Sequence, residues 1–216
     1  VGSYVSTITF AGNSKYASAS KTVRVTVENP VWVLSANSVS TVYGSNKNLV
    51  VNLKDSNGAP VANAEVKLKL DGLRYIYSGS TYTDENGQVK ISSKDLELDT
   101  YTVCLSAENC KDITTKITIS KATPKITAAK KTFKLKTKTK KYTITLKNNL
   151  GKVMKSTKVK LTVKGKTYTA KTNSNGKATF KITKLTKKGK YTAVVKYAGS
   201  TNYKAVSKKV TITVKK

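Results

Sequence analysis

A repeat of about 90 residues is the feature that most limits what this chain can fold into. The segment LKDSNGAPVANAEVKLKL at 53–70 aligns without gaps on LKNNLGKVMKSTKVKLTV at 146–163. In the same way, TDENGQVKI at 83–91 aligns on TNSNGKATF at 172–180. A repeat of this length matches one small β-sandwich domain rather than a solenoid turn or a propeller blade.

A partial copy of the same repeat opens the chain. Residues 2–27 and 189–214 share the pattern GxYxxxxxxAGxxxYxxxSKxVxxTV without gaps. Pro30 and Pro124 each follow an alternating strand and cannot continue its ladder, so they mark where complete copies start. We therefore predict a truncated repeat followed by a charge-neutral domain and a lysine-rich domain, with the bounds 1–29, 30–121 and 122–216.

Within each copy the hydrophobic period is two. Along residues 158–164 and 209–215, every second residue is Val, Leu or Ile, and the residues between them are Lys or Thr. This pattern is typical of a strand with one buried and one wet face, and Asn-Gly turns separate such strands at short intervals. The sequence predicts an all-β protein of tandem Ig-like antiparallel β-sandwiches, each with about seven or eight strands.

Three tyrosines occupy equivalent places in the copies, at Tyr4, Tyr101 and Tyr191. Each opens a strand and follows Gly or Asp by two residues. This placement predicts a tyrosine corner, in which the hydroxyl bonds back to the upstream backbone. An ordinary core tyrosine is the alternative.

The runs VNLKDSNGAPVANAEVKLKL, TYTDENGQVKISS and DTYTVCLSA resemble the bacterial Ig-like repeats of the invasin and intimin type. The lysine- and threonine-rich last copy, with AGSTNYK before its final strand, resembles Ig-like repeats of adhesin-like surface proteins from methanogenic archaea. The resemblance covers nearly the whole chain and rests on turn and core residues. It implies an Ig-like fold and a cell-surface location, and it brings no catalytic residue with it.

Catalytic chemistry has little support in the sequence. The chain has no histidine, which removes the commonest general base and metal ligand, and it has no glycine-rich nucleotide motif. We expect no enzyme activity, no catalytic residue, no cofactor and no metal. The acidic turns at Asp55 and Asp84 echo part of a calcium loop, but the aligned residues Asn148 and Asn173 carry no charge, which favours turn formation over a metal site.

The two cysteines, Cys104 and Cys110, are separated by five residues. Counting the alternation from both sides places them on the outer face of one hairpin, so a disulfide between them is a candidate. Such a bond would indicate an oxidising, extracellular setting. Two free thiols are the alternative.

The net charge of +30 is concentrated in the last copy. Residues 1–29 contain three basic residues and one acidic residue, residues 30–121 contain ten of each, and residues 122–216 contain 28 lysines and no acid. Neighbouring lysines on one strand face lie about 7 Å apart, within the Debye length of about 8 Å, so they repel one another. An anionic partner is the natural inference, and a charged soluble surface without a specific partner is the alternative.

The stretch KTFKLKTKTKKYTITLK at 131–147 predicts a folded strand rather than a basic arm, with a shift of phase at Lys141 and Tyr142. Its outward lysines and those of the later strand form the candidate polyanion-binding set, which is Lys134, Lys136, Lys138, Lys140, Lys158, Lys160 and Lys164.

The favoured function is a non-catalytic, extracellular adhesin-like stalk on the cell surface or cell wall, whose basic domain associates with an anionic cell-wall polymer or acidic glycan. Surface proteins of other cells are further candidate partners. No specific nucleic acid is expected, because the basic domain has no Arg or Trp. No apolar run reaches the roughly 18 residues of a membrane span. A polyanion- or nucleic-acid-binding protein and an accessory module of a surface enzyme are the alternatives.

Overall fold

The structure is a computed structural model that describes residues 1–73 and 76–216. The chain divides into two compact units. The first consists of residues 1–37, 50–91 and 102–115, and the second of residues 38–49, 92–101 and 116–216. The domain boundaries after residues 29 and 121 stay predictions.

The first two strands form a hairpin, β1 (Gly2–Phe10) with β2 (Ala19–Val27). Its register pairs Gly2 with Val27, as expected from the sequence match with the last hairpin of the chain, where Gly189 pairs with Val214. Nearly every residue of this first hairpin is exposed.

The next eight strands form what we call the middle sandwich. Their bounds are β3 (Trp32–Ala36), β4 (Val39–Val42), β5 (Asn48–Asp55), β6 (Glu65–Asp71), β7 (Ile76–Tyr82), β8 (Gln88–Ser92), β9 (Thr100–Ala107) and β10 (Ile113–Ser120). They form a three-stranded sheet in the order β3-β5-β8 and a five-stranded sheet in the order β4-β10-β9-β6-β7.

The remaining eight strands form the last sandwich. Their bounds are β11 (Lys125–Thr127), β12 (Lys131–Lys134), β13 (Lys140–Lys147), β14 (Lys158–Val163), β15 (Lys166–Lys171), β16 (Lys177–Ile182), β17 (Gly189–Tyr197) and β18 (Val206–Lys215). The sheet orders, β11-β13-β16 and β12-β18-β17-β14-β15, repeat those of the middle sandwich strand for strand. The all-β, tandem-sandwich prediction is confirmed. In one detail the sheets differ from a purely antiparallel arrangement, because edge strands β4 and β12 run parallel to their neighbours.

The core of the last sandwich follows the predicted alternation. Val159, Leu161 and Val163 are buried, and the lysines and threonine between them are exposed. The complete set of buried apolar residues is Ile126, Tyr142, Ile144, Leu146, Val159, Leu161, Val163, Ala178, Phe180, Ile182, Leu185, Ala193, Val195, Tyr197, Val210, Ile212 and Val214. The lysines of β14 therefore lie on a strand whose other face is dry.

Two of the three candidate tyrosine corners have the expected hydrogen bond. The Tyr101 hydroxyl donates to the Glu97 carbonyl at 3.2 Å, and the Tyr191 hydroxyl donates to the Lys187 carbonyl at 2.8 Å, each four residues upstream. Tyr4 is 59% exposed, and this sequence has no residue four positions before it.

Both cysteines are free thiols, so the structure does not support the predicted disulfide. Cys104 lies exposed on β9, where the Thr114 hydroxyl of β10 faces its sulfur at 4.0 Å. Cys110 lies in the loop before β10 begins, and its thiol donates to the Ala107 carbonyl at 3.4 Å. The prediction placed Cys110 on the strand because it continued the alternation backwards from Ile113, but β10 begins only at Ile113. Burial raises the pKa of Cys110 above its ordinary value.

Four turns share one hydrogen-bonding pattern. In each turn, the Oδ1 atom of an Asp or Asn accepts hydrogen bonds from the backbone N–H groups two and four residues later, at 2.8–3.0 Å. The four residues are Asp55, Asp84, Asn148 and Asn173. This confirms their role in the turns, and the bond from the Gln88 amide lowers the pKa of Asp84. Across residues 1–73 and 76–216, no group of three His, Cys, Asp or Glu side chains could hold a metal ion.

Gly176 closes one of these turns and offers a test of how tightly the turn packs. Its φ is +69°, and an added Cβ would lie 2.8 Å from the Leu146 carbonyl oxygen. Gly165 has a φ of +71° but no heavy atom within 4 Å of the added Cβ. Both Gly→Ala changes carry the backbone strain of about 1–2 kcal/mol. Gly176→Ala is expected to lower the free energy of unfolding, measured with urea, by about 1–3 kcal/mol more than Gly165→Ala. Equal losses would show that the close approach does not limit this turn.

Candidate polyanion-binding surface

The lysine-rich stretch 131–147 is not one strand, as the sequence suggested, but two strands joined by a turn. Strand β12 ends at Lys134, and β13 begins at Lys140 in the other sheet. Lys136 and Lys138 lie exposed in the connecting turn, and Lys134 is exposed at the end of its strand. The prediction of a folded segment rather than a basic arm is confirmed. The inward–outward alternation changes phase in the turn between Lys134 and Lys140, and not at Lys141 and Tyr142 as predicted.

Lys140 belongs to the interior and not to the outer surface. Its side chain is buried with 2% exposure, and it falls in the same phase of β13 as Tyr142 and Ile144. Its ammonium group donates to the carbonyls of Thr137 at 2.7 Å and Leu135 at 3.5 Å. The turn restarts the alternation at residue 140 instead of 142, so the prediction that Lys140 belongs to the polyanion-binding set is wrong. The buried charge is tolerated because backbone carbonyls solvate it.

This assignment predicts different effects for two neighbouring lysines. Lys140→Met keeps the aliphatic stem but removes the hydrogen bonds to the turn, so it is expected to lower the free energy of unfolding by about 1.5–3 kcal/mol. Lys141→Met removes the same charge from an exposed position and is expected to change stability by less than about 0.5 kcal/mol. Urea unfolding of both variants tests this. A Lys140→Met variant as stable as Lys141→Met would contradict a supporting role for the buried ammonium.

The lysines of β14 lie where the alternation predicts. Lys158 and Lys160 are exposed on the outer face of the sheet. Lys164 is also exposed, but it lies in the tight turn before β15 with a φ of +46°. Six of the seven lysines in the candidate set are therefore available to solvent.

Lysines of the last sandwich also stand directly opposite one another across strands. Like charges in this position destabilise a sheet. The ion pairs found among the described residues, Lys69 with Asp71 and Lys90 with Asp84, both lie in the middle sandwich. The opposed exposed pairs are Lys125 with Lys147, Lys134 with Lys215, Lys141 with Lys181, Lys158 with Lys171 and Lys160 with Lys196. No acid of residues 122–216 offsets this repulsion, because that segment contains none.

Two of these pairs lie beside a groove of about 800 Å³ on the outer face of β14 and β17. Lys158, Lys160 and Lys196 contribute to its lining, together with Met154 and Tyr203. Lys158 and Lys160 belong to the polyanion-binding set predicted from the sequence, and Lys196 does not. The exposed position of Lys196 on β17 is visible in the local alternation, but its place opposite Lys160 depends on the pairing of distant strands.

No helix within residues 1–73 and 76–216 has the length and apolar character needed to cross a bilayer.

Comparisons with known proteins find similar solved structures but no matching family model or curated protein. Among solved structures, the chain is similar to invasin, a bacterial integrin-binding protein, with 18% identity and a TM-score of 0.46, covering 86% of this chain and 40% of that one.

It is also similar to a Ca²⁺-stabilized adhesin with which an Antarctic bacterium binds ice. The identity is 14% and the TM-score 0.33, covering 99% of this chain and 57% of that one. A third similar structure is the pair of titin domains Z1Z2, with 11% identity and a TM-score of 0.45, covering 88% of this chain and 98% of that one. Bacterial adhesin and invasin structures are among those that the chain is similar to.

Proposed function

We propose that this chain is a non-catalytic, extracellular stalk segment of an adhesin-like protein, located at the cell surface or cell wall, whose last sandwich associates with an anionic envelope polymer or acidic glycan. The observation that carries the proposal is the set of opposed lysine pairs on a sandwich with no acidic residue. Such a surface is stabilised when a polyanion or small anions neutralise its positive charge.

The contrast between the two sandwiches supports a division of roles. Their sheets have the same strand order, yet the middle sandwich is charge-neutral and the last one carries all 28 lysines of residues 122–216. Because the same strand order forms without this charge, the fold does not require it. The positive charge is best explained by an anionic binding partner of the last sandwich. Repeated sandwiches suit a spacer that holds a binding module.

The chemistry of lysine favours an irregular polymer over a nucleic acid. Arginine makes bidentate contacts to phosphates and bases, and aromatic side chains stack on bases, but residues 122–216 contain no Arg and no Trp. Lysine acts as a flexible point charge and does not require a fixed geometry of its partner. Acidic polysaccharides present carboxylates at varied spacing and orientation, which such charges accommodate.

A sedimentation experiment tests this function. The full chain is mixed at low salt with purified bacterial cell walls, and with the same walls after their carboxylates have been converted to neutral amides. We expect retention on the untreated walls, loss of retention after amidation, and release by free polylysine, which competes for the anionic sites. Equal retention on both preparations, or none on either, would reject association with an anionic envelope.

A further inference from the structure

The groove on the last sandwich has the features of a binding site for one particular kind of group. It lies where the pairing of β14 with β17 stops, at Lys160 opposite Lys196, although both strands continue beyond this pair. Lys158 extends the row of ammonium groups along β14. Three positive charges thus converge on one concave surface whose volume, about 800 Å³, lies within the range of roughly 300–1,000 Å³ typical of ligand clefts.

One wall of the groove is held in place before any ligand arrives. Four residues of the segment 198–204 form this wall, namely Ala198, Gly199, Ser200 and Tyr203. The backbone of Ala122 bonds to the segment twice, donating to the Asn202 carbonyl at 3.1 Å and accepting from the Lys204 amide at 2.9 Å. The Lys121 ammonium donates to the Ser200 carbonyl at 2.9 Å. Because the wall is fixed, a ligand bound against it loses little affinity to the ordering of the loop.

The middle sandwich has a groove at the same place in the fold. Its volume is about 500 Å³, and it is lined by Glu65, Lys67, Ser106 and Glu108 among others. The register establishes the equivalence, since Lys67 stands opposite Ser106 on β6 and β9 as Lys160 stands opposite Lys196 on β14 and β17.

The charge of the groove is reversed between the two copies. Glu65 occupies the position of Lys158, and Ser106 occupies that of Lys196, so the middle groove has two acids and one lysine where the last groove has three lysines. The fold supplies the concave surface in both copies, and the sequence makes it positive only in the last one. The lysines are therefore not needed to form the groove.

The lining beside the lysines is suited to a sugar ring. Met154 and Tyr203 are half-buried and give the groove an apolar side, and the hydroxyls of Thr162 and Thr167 lie 2.9 Å apart in its lining. An acidic sugar combines a carboxylate, several hydroxyls and an apolar C–H face. Each of these groups has a counterpart in this groove.

We infer that this groove is the principal glycan subsite of the chain and takes a carboxylate-bearing sugar residue of an acidic polysaccharide. The inference rests on the proposed function. It specifies in addition the place where the polymer binds and the chemical group that the polymer presents. The ammonium groups of Lys158, Lys160 and Lys196 neutralise the carboxylate of this sugar residue and those of its two neighbours along the polymer. Met154 and Tyr203 contact the sugar ring.

The test exchanges residues between the two grooves in the full chain. Lys158→Glu combined with Lys196→Ser introduces the residues of the middle groove. The matched control, Lys177→Glu combined with Lys181→Ser, makes the same change of net charge at exposed positions of β16. Binding is measured by calorimetry with polygalacturonate, which carries carboxylates, and with dextran sulfate and single-stranded DNA, which present other anions on other scaffolds.

The groove variant is expected to bind polygalacturonate about 100-fold more weakly than the control variant, because it loses two charged contacts and each is worth about tenfold. Equal losses in the two variants would overturn the groove while leaving the proposed function in place. If the unmodified chain binds none of the polymers, the proposed function fails as well. Tighter binding of dextran sulfate or DNA than of polygalacturonate would overturn the assignment of a carboxylated sugar. Thermal unfolding is recorded for both variants, so that a loss of fold is recognised.

The single methionine of the chain provides a second, independent measurement. Met154 lines the groove, so a ¹³C-labelled methyl group reports on this site alone by NMR. Titration of the unmodified chain with oligogalacturonate is expected to shift this signal with the same midpoint as the calorimetric binding curve. A signal that stays unchanged while the oligosaccharide binds would place the site elsewhere and overturn the inference.

Discussion

Replacing Phe180 with alanine is expected to lower the free energy of unfolding of the last sandwich by about 3–5 kcal/mol. Phe180 is 1% exposed on β16, and it stands opposite Tyr142 of β13. The Tyr142 hydroxyl donates to the Ala129 carbonyl at 2.7 Å, and burial raises the pKa of this phenol. Removing the Phe180 ring leaves a cavity beside a tyrosine that this hydrogen bond holds in place, so the core collapses only partly.

The measurement is urea unfolding followed by amide hydrogen exchange on β13 and β16, which reports on this sandwich within the longer chain. Phe133→Ala is the control, because Phe133 is only half-buried on edge strand β12. It is expected to cost less than half as much. Equal losses would mean that the core is not centred on the β13–β16 pair.

The same variant separates a folded surface from a basic arm. Phe180→Ala leaves all 28 lysines of residues 122–216 in the chain. At a temperature where the variant's last sandwich is unfolded and the unmodified one is folded, polygalacturonate binding is expected to weaken although the net charge is unchanged. Undiminished affinity would show that binding depends on charge alone and that the folded arrangement of lysines is not used.

Much of the fold follows from local rules that operate within a few residues. The alternation along β14 fixes which side of the strand is buried, and the turn at Asn173 follows from the ability of its side chain to accept two backbone hydrogen bonds. Because the two sandwiches are copies of one sequence repeat, a strand or turn predicted in one copy is also predicted at the aligned residues of the other. For this reason the strand order of both sandwiches is the same.

The predictions for the stretch 131–147 are wrong where the local sequence pattern is compatible with two structures. Between Phe133 and Tyr142 every residue is Lys, Thr or Leu, and such a run fits one continuous strand as well as strand, turn and strand. The choice depends on β12 pairing with β18 and β13 pairing with β11 and β16, which are contacts between distant parts of the sequence. Lys140 was misplaced for this reason, since the turn that solvates its ammonium is invisible in the pattern.

The candidate site was predictable only in part for a related reason. The outward phase of Lys158 and Lys160 is a property of one strand, and it was predicted. The groove depends on which residue faces Lys160 from β17, which is a consequence of register. It also depends on the contact of the segment 198–204 with Ala122, which lies far away in the sequence. The comparison between copies identifies the groove most clearly, because the same place in the middle sandwich carries Glu65.

Raising the salt concentration from about 50 mM to about 200 mM is expected to weaken the binding of polygalacturonate by the full chain about 20-fold. The value follows if the three lysines of the groove neutralise three carboxylates, with a slope of about −0.7 per charge as for single-stranded polyanions. The logarithm of the binding constant should therefore fall against the logarithm of salt with a slope of about −2. Calorimetry or fluorescence titration across a series of salt concentrations measures this slope.

The slope also identifies where the neutralised charges lie. The groove variant, Lys158→Glu with Lys196→Ser, removes two of the three groove lysines and should flatten the slope to about −0.7 or less. The control variant, Lys177→Glu with Lys181→Ser, has the same net charge and should retain a slope near −2. The slope of the unmodified chain could instead be far steeper than −2 and become flatter by the same amount in both variants. This result would mean that the polymer is spread over the opposed lysine pairs of both sheets. A slope near zero would mean that lysine charge does not drive the binding. This result would contradict both the proposal of an anionic partner and the assignment of the groove as its binding site.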